Sequence, residues 1–527
     1  MGGRRVNREE MLDAVRGRDK PWDLIVIGGG ATGLGSAVDA ASRGLDVVLF
    51  EQADFAKGTS SRSTKLVHGG VRYLQQGNVS LVMEALKERG LLLRNAPHLV
   101  RDVAFIVPSY KWWESPFYGI GMKVYDLLAG RYGFGRSSMI SRDGVVEAIP
   151  SIQTDGLIGG TRYYDGQFDD ARLAINLATT AFEQGGTVLN YAPVVRLIKD
   201  GAGMVEGVVA RDAESGEELT VRGRVVVNAT GPFADEVRRL DRPDAPPIIA
   251  PSSGVHVVLD RSFLPGDSAI MVPHTDDGRV MFAIPWHDVA VVGTTDTPID
   301  SVELEPAPRR DDVEFILETA NRYLARPAAA DDIRSVFAGI RPLVKLGDGH
   351  DTAALSREHT ILIDPQSGLM TVAGGKWTTY RKMAEDVVDQ AITLGDLDPH
   401  GCVTRNLPIH GYHRNADRFG GLAYYGSDAS EIRRMAEAEP AMRASLHDRL
   451  TVTGAEVRWA CQREMARTVD DVLARRTRCL LLDARASIEA APRVAELMAA
   501  ELGRDRAWVD RQVEAFAEIA GRYVCAG

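Results

Sequence analysis

Cysteine, uninterrupted apolar runs and positive charge are all scarce in this sequence, and each shortage removes a class of protein. Four cysteines, Cys402, Cys461, Cys479 and Cys525, are scattered through the last third of 527 residues with no C-x-x-C pair. That spacing excludes a redox enzyme working through paired thiols and a cysteine-based zinc or iron–sulfur centre, and no metal site is expected. It suits a reducing compartment. No stretch approaches the roughly 18 apolar residues of a membrane-spanning helix. Acids outnumber bases, 73 to 62, where a nucleic-acid binder needs a basic footprint. Residues 1–20 read as a charged helical lead. Arg4-Arg5 is followed by Val6-Asn7-Arg8-Glu9-Glu10 rather than the apolar core of a twin-arginine signal. Gly2 has Val6, not Ser or Thr, at the position that myristoylation requires. The expectation is a cytoplasmic protein, able to lie peripherally on the inner face of the cell membrane.

What is present begins with a buried-strand signal, Leu24-Ile25-Val26-Ile27, followed by Gly28, Gly30 and Gly33 in a G-x-G-x-x-G turn. Ala37 to Ala41 continue as a small-residue helix, and Val47-Val48-Leu49-Phe50 ends in Glu51, 18 positions beyond Gly33. Strand, glycine turn, helix, strand and acid in register form the βαβ dinucleotide fingerprint. Gly28 permits the turn, Gly30 admits a pyrophosphate to the backbone, Gly33 allows close helix packing, and Glu51 accepts from a ribose hydroxyl pair. By itself this leaves FAD and NAD open.

Downstream, Gly58-Thr59-Ser60-Ser61-Arg62-Ser63-Thr64-Lys65 is too rich in small hydroxyl residues for a core strand, and reads as a second wall of the cofactor site rather than a surface loop. An amphipathic helix is expected over 79–94. Residues 110–136 hold eight aromatics within 25 positions (Tyr110, Trp112, Trp113, Phe117, Tyr118, Tyr125, Tyr132, Phe134), with Lys111, Lys123, Arg131 and Arg136 against Glu114 and Asp126. This segment is either an interfacial element that meets anionic headgroups or an aromatic core. Asp169 or Asp170 caps a helix. Segments 187–197, 205–211 and 218–228 alternate as antiparallel strands. Strand–glycine signals recur at Val225 to Gly231 and at Leu369 to Gly375, so one parallel sheet should assemble from distant segments near 28, 231 and 375. Helices are expected at 310–326, 455–478 and 507–523.

These stations resemble the FAD-dependent, respiratory glycerol-3-phosphate dehydrogenases of the amino-acid-oxidase-like flavoproteins. The resemblance runs from Asp23 to Lys382 through IVIGGG with Glu51, GTSSRSTKLVHGGVRYL, DDARL, VVVNATGP, GVHVV, VGTTD, AGIRPL, LSREHT and AGGKWTTYRKMA. It extends to a C-terminal helical domain around Val472-Leu473-Ala474-Arg475-Arg476. It implies a fold that is α/β plus α+β. A Rossmann-like GR2-type FAD domain is built from discontinuous segments near 21–75, 150–235 and 340–400. An antiparallel substrate domain, near 76–149 and 236–339, is inserted in it, and an all-α domain occupies 401–527. It also implies FAD as cofactor, oxidation of glycerol 3-phosphate to dihydroxyacetone phosphate by hydride transfer to flavin N5, and quinone as electron acceptor, with a homodimer allowed. Carried over residue by residue, Gly28, Gly30, Gly33 and Glu51 hold pyrophosphate and ribose. Ser60, Ser61, His68, Gly69 and Gly70 line the flavin, and Thr230, Gly231, Gly374, Gly375, Lys376, Thr378 and Thr379 close over it. The substrate falls to Arg72, Tyr73, His256, Arg341, Arg357 and Lys376, with His256, Arg341 and Lys376 catalytic.

The chemistry agrees with that assignment. A phosphate dianion wants guanidinium forks, and arginine stays charged when desolvated. Alcohol oxidation needs a proton acceptor, for which His256 is the candidate, with an arginine or water as alternatives and a satisfied core histidine as the plain reading. Only one complete dinucleotide fingerprint is present, which disfavours NAD(P)H as the reductant. Two alternatives remain open at this point: an oxidase of the same fold releasing hydrogen peroxide, and a non-catalytic FAD-holding protein. The convergence of cations argues against the second.

Overall fold

The run Leu24–Ile27 lies in strand Trp22–Ile27, whose side chains are buried on both faces as a parallel strand's should be. The structure, a computed structural model, describes residues 7–70, 78–273, 275, 278–345 and 359–525. Strand Trp22–Ile27 sits in a sheet ordered His359–Ile363, Met370–Gly374, Glu218–Asn228, Trp22–Ile27, Val47–Phe50, Thr187–Leu189. All neighbours run parallel except His359–Ile363. The three strands that carry glycine turns are thus side by side, and their turns gather at one edge. Thr187–Leu189 departs from the expected antiparallel reading, since it pairs parallel with Val47–Phe50. The antiparallel meander begins only at Val194–Lys199 and continues through Val205–Arg211 into the first half of Glu218–Asn228.

Helix Ala31–Ser42 lies close against Tyr380–Leu394. A Cβ at Gly35 would meet the Tyr380 ring at 2.9 Å, so a larger residue would push the two helices apart.

A second, ten-stranded sheet forms the cap. Its long pairs are antiparallel: Ile249–Asp260 with Ile333–Val344, and Val100–Ser109 with Gly159–Phe168. Gly159–Phe168 was expected with the cofactor domain but pairs along its whole length in the cap, as does Leu66–Val67 at the sheet's end. The chain therefore crosses between sheets more often than the sequence segments suggested. Helix Glu114–Ala129 divides the aromatic segment between a buried and an exposed face. Tyr118, Met122 and Tyr125 are buried, while Trp113, Phe117, Ile120, Val124 and Leu127 are exposed, Leu127 to 81%.

The C-terminal region is helical apart from a short hairpin, Ser445–His447 with Leu450–Thr453. The helix expected over 455–478 stops at Arg463. Met465 and Arg478 take positive φ, and a π-helical turn spans Asp471–Arg476. The interruption aims both arginines of that turn inward. Asp54, three residues beyond Glu51, receives Arg475 Nε at 2.5 Å and also Arg476, with no side chain of the three more than 2% exposed. Arg475 also pairs with Asp470 and Asp471, and Asp470 takes Lys57 Nζ at 2.6 Å. Arg172 meets Glu464 through two bonds of 2.8 and 2.7 Å, and Arg478 meets Asp169, which caps helix Asp170–Glu183. Burial pushes the Asp54 carboxyl up, and the two guanidiniums outweigh it and hold it below its ordinary range.

Removing one partner of such a network leaves the others charged and dry. Asp54→Ala is expected to destabilise the holoprotein by about 3–5 kcal/mol, read as a fall in the chemical denaturation midpoint. The same change at exposed Glu314, which pairs with Arg310 on the surface, should move that midpoint little.

Candidate active site

The glycine turn is shaped by contacts that allow no side chain. Gly28 has φ +108, and a Cβ on Gly33 would lie 1.9 Å from the Gly28 carbonyl oxygen. Gly30 precedes helix Ala31–Ser42, and Ser60 Oγ accepts from Ala31 N at 2.9 Å, which brings the Thr/Ser-rich loop over the helix start. Glu51 accepts from Gly29 N at 2.6 Å and from Ala53 N at 2.9 Å. Burial pushes its carboxyl up against those two donors and Arg475.

A cavity of about 450 Å³ runs from this turn across the ends of the parallel strands. Gly28, Gly30, Glu51, Ser60, Thr230, Gly231, Gly374, Gly375 and Lys376 all line it. A helix N-terminus with a glycine approach for a pyrophosphate, an acid for a ribose, and a cavity of this length fit FAD. Other residues assigned to the cofactor lie elsewhere. Gly33 is beneath the turn, and Ser61 is buried with its carbonyl accepting from Lys65 Nζ at 2.7 Å. Gly69 donates its N–H to Tyr125 Oη at 2.8 Å, and Thr379 is buried just before helix Tyr380–Leu394. His68, Gly70 and Thr378 line a second cavity instead.

That second cavity, about 340 Å³, holds His256 and Arg341, and shares Lys376 with Thr59, Pro342, Gly374, Gly375 and Trp377 along the border of the first. Trp377 Nε1 donates to Ser60 O at 2.8 Å, closing the border. Arg341 is positioned by the cap strands. It lies opposite Ser252 in the register, and its guanidinium passes over Gly254, where a Cβ would come within 2.5 Å of Nη2. Nη1 donates to Asp296 Oδ1 at 3.3 Å and Nη2 to Thr294 Oγ1 at 3.2 Å. Asp296 also accepts from Ser252 Oγ. His256 stacks on its cross-strand partner Phe337, centroids 4.8 Å apart and planes within 12°. On the other side Gly293 gives the ring room, since a Cβ there would come within 2.4 Å of Cδ2. Burial, then the nearby Arg341 and Lys65 cations, hold the imidazole well below its ordinary pKa, so it is neutral at neutral pH.

The structure thus brings together His256, Arg341 and Lys376. Arg72, Tyr73 and Arg357 lie outside the described residues. Sequence reasoning missed the second layer of Thr294 and Asp296, although VGTTD was among the matching stations. It also missed Arg279 and the aromatic end of the cavity, formed by Phe105, Tyr163, Met271 and Phe282. The pairing of the cap strands and the loops that follow them, which the one-dimensional pattern does not show, place them there.

Residues 23–381 match the family described as FAD dependent oxidoreductase, and residues 402–509 match the C-terminal domain of alpha-glycerophosphate oxidase. The mitochondrial glycerol-3-phosphate dehydrogenase of Rattus norvegicus is 40% identical over 98% of this chain and 75% of its own. That of Schizosaccharomyces pombe is 38% identical, covering 98% and 89%. A glycerol-3-phosphate dehydrogenase from Bacillus halodurans, solved in complex with FAD, superposes with a TM-score of 0.78 at 29% identity, covering 98% and 97%. FAD is therefore the cofactor, and the lining of the glycine-rich cavity fits it. The chain belongs to the FAD-dependent oxidoreductases, in the branch of the glycerol-3-phosphate dehydrogenases.

Proposed function

We propose that this enzyme oxidises sn-glycerol 3-phosphate to dihydroxyacetone phosphate and passes the electrons to a membrane quinone. The observation that carries the reading is the meeting of Arg341, His256 and Lys376 where the substrate cavity borders the cofactor cavity. The glycerol-3-phosphate dehydrogenases to which the chain is similar support the substrate. Arg341 offers a guanidinium fork to the phosphate, pre-oriented by Asp296 and Thr294 so that little rotamer freedom is lost on binding. Lys376 lends positive charge at the border, where a negative charge develops. When bound, the flavin supplies the acceptor for the hydride leaving the substrate's secondary alcohol carbon. His256, expected as the base, is poorly suited to gain a proton, because its cation would be buried beside Arg341 and Lys65. In this reading it holds the substrate by hydrogen bonding. The hydroxyl proton passes to a ring nitrogen of His68, which lines the same cavity and is less buried.

Support for a membrane acceptor comes from helix Glu114–Ala129. Its exposed face (Trp113, Phe117, Ile120, Val124, Leu127) is a continuous apolar patch flanked by exposed Lys111, Lys123 and Arg131 on an otherwise acidic protein. No helix among the described residues is long and apolar enough to cross a membrane, so contact would be peripheral. On the buried face Tyr125 packs edge-on to Tyr163, which stacks on Phe105, and both of those rings line the substrate cavity. The apolar surface is thereby one helix thickness from the site.

With glycerol 3-phosphate supplied, a soluble quinone analogue should be reduced faster than hydrogen peroxide forms; stoichiometric peroxide with no quinone reduction would refute the acceptor. Arg341→Ala should raise KM by roughly tenfold to a hundredfold, as about 1.5–3 kcal/mol of charged hydrogen bonding implies. An unchanged KM would remove the phosphate clamp. The wild type should also sediment with anionic phospholipid vesicles. Ile120→Asp with Leu127→Asp should abolish that binding while leaving turnover with the soluble acceptor unchanged. Retained binding would show that this face is not the contact.

A further inference from the structure

Thr64 sits in the Thr/Ser-rich loop, beside the buried face of the cap. Its Oγ1 lies 2.9 Å from His256 Nε2, and it lines the substrate cavity. Its position is set from both sides. Asp170 accepts from the backbone N–H of Ser63 at 3.1 Å, from Ser63 Oγ at 2.7 Å and from Lys65 Nζ at 2.8 Å. Lys65 Nζ in turn lies 5.1 Å from the centroid of Phe337, the ring on which His256 stacks. Phe337 thus has the imidazole stacked on it and the cation near its centroid, and Thr64 holds the imidazole's edge. The far nitrogen of the imidazole, Nδ1, is buried and has no hydrogen-bond partner among the described residues.

A neutral imidazole carries its proton on one nitrogen only. A proton on Nδ1 would leave a buried N–H with no acceptor, whereas a proton on Nε2 meets the Thr64 oxygen. An orphaned buried donor is the costlier and rarer condition. We propose that Thr64 is the positioning residue of His256: its hydroxyl oxygen accepts the Nε2–H, fixing the neutral ring as that tautomer and keeping the N–H at the cavity wall, where a substrate oxygen shares it in a three-centre bond. His256 then acts as a fixed donor, and Lys65 with Asp170 hold the loop that aims it. The assignment rests on the proposed function for its role in turnover, but the tautomer itself does not.

Nitrogen-15 NMR of the FAD-loaded protein labelled with [15N]histidine reads the tautomer directly. The expected spectrum shows a protonated Nε2 and a bare Nδ1 for His256, assigned by comparison with His256→Ala, between about pH 6 and pH 8. A proton on Nδ1 overturns the proposal, and this measurement needs neither turnover nor a Thr64 variant. In kinetics, Thr64→Val should lower kcat by about tenfold to a hundredfold, with KM and bound FAD close to the wild type. Thr64→Ser should restore most of the loss, and Thr64→Val with His256→Ala should be no slower than His256→Ala alone. A wild-type kcat in Thr64→Val, or additive losses in the double variant, would contradict the positioning role. Failure of the wild type to oxidise glycerol 3-phosphate would instead remove the functional reading and leave the tautomer result standing.

Discussion

The carboxylate of Asp54, clamped in a dry interior between Arg475 and Arg476, is the interaction on which the rest of the structure leans. It stands three residues beyond Glu51 at the end of the glycine-turn unit, yet its counter-charges come from more than 400 residues away in sequence. Lys57 to Asp470, Arg172 to Glu464 and Arg478 to Asp169 repeat the arrangement along the same seam. Each pair is costly to desolvate and still more costly to break singly, which makes the seam intolerant of partial assembly. The helical region is thereby a structural wall of the cofactor loop. That gives a physical role to a segment of which no described residue lines either cavity.

How much of this was legible in the sequence follows from the range of the interactions. The glycine turn, Glu51 and the adjacency of the three glycine-bearing strands could be read directly, because each is a local pattern of apolar runs and small residues. The C-terminal helices were legible as periodicity, but their interruption at Arg463 was not. The π-helical turn exists to aim Arg475 and Arg476 at a partner in a distant segment, and periodicity is blind to that. The strand Gly159–Phe168 was misplaced for a similar reason: its own alternation does not say which sheet it joins. In the site, the family resemblance let Arg341 be named as a guanidinium fit for a phosphate and Lys376 as a point charge for the reacting centre or flavin. Asp296 and Thr294, which orient Arg341, and Phe337, which stacks on His256, depend on cross-strand register and could not.

The site also shows how environment overrides residue type. Histidine suggests a base near neutral pH, but His256 is buried, stacked and set beside two cations, each of which penalises a further positive charge. The same surroundings suit a neutral hydrogen-bond donor and leave the anionic substrate to the cations. Under the proposed function the division of labour is consistent: the glycine-lined cavity would hold the flavin, Arg341 would select for phosphate, and neutral groups would align the alcohol between them.

The most direct measurement of the central claim is anaerobic addition of glycerol 3-phosphate to the purified, FAD-loaded protein while the flavin absorbance is followed. The account predicts that the yellow, oxidised flavin bleaches on addition of substrate and recovers when a quinone analogue is supplied. A flavin that stays oxidised at millimolar glycerol 3-phosphate would contradict it.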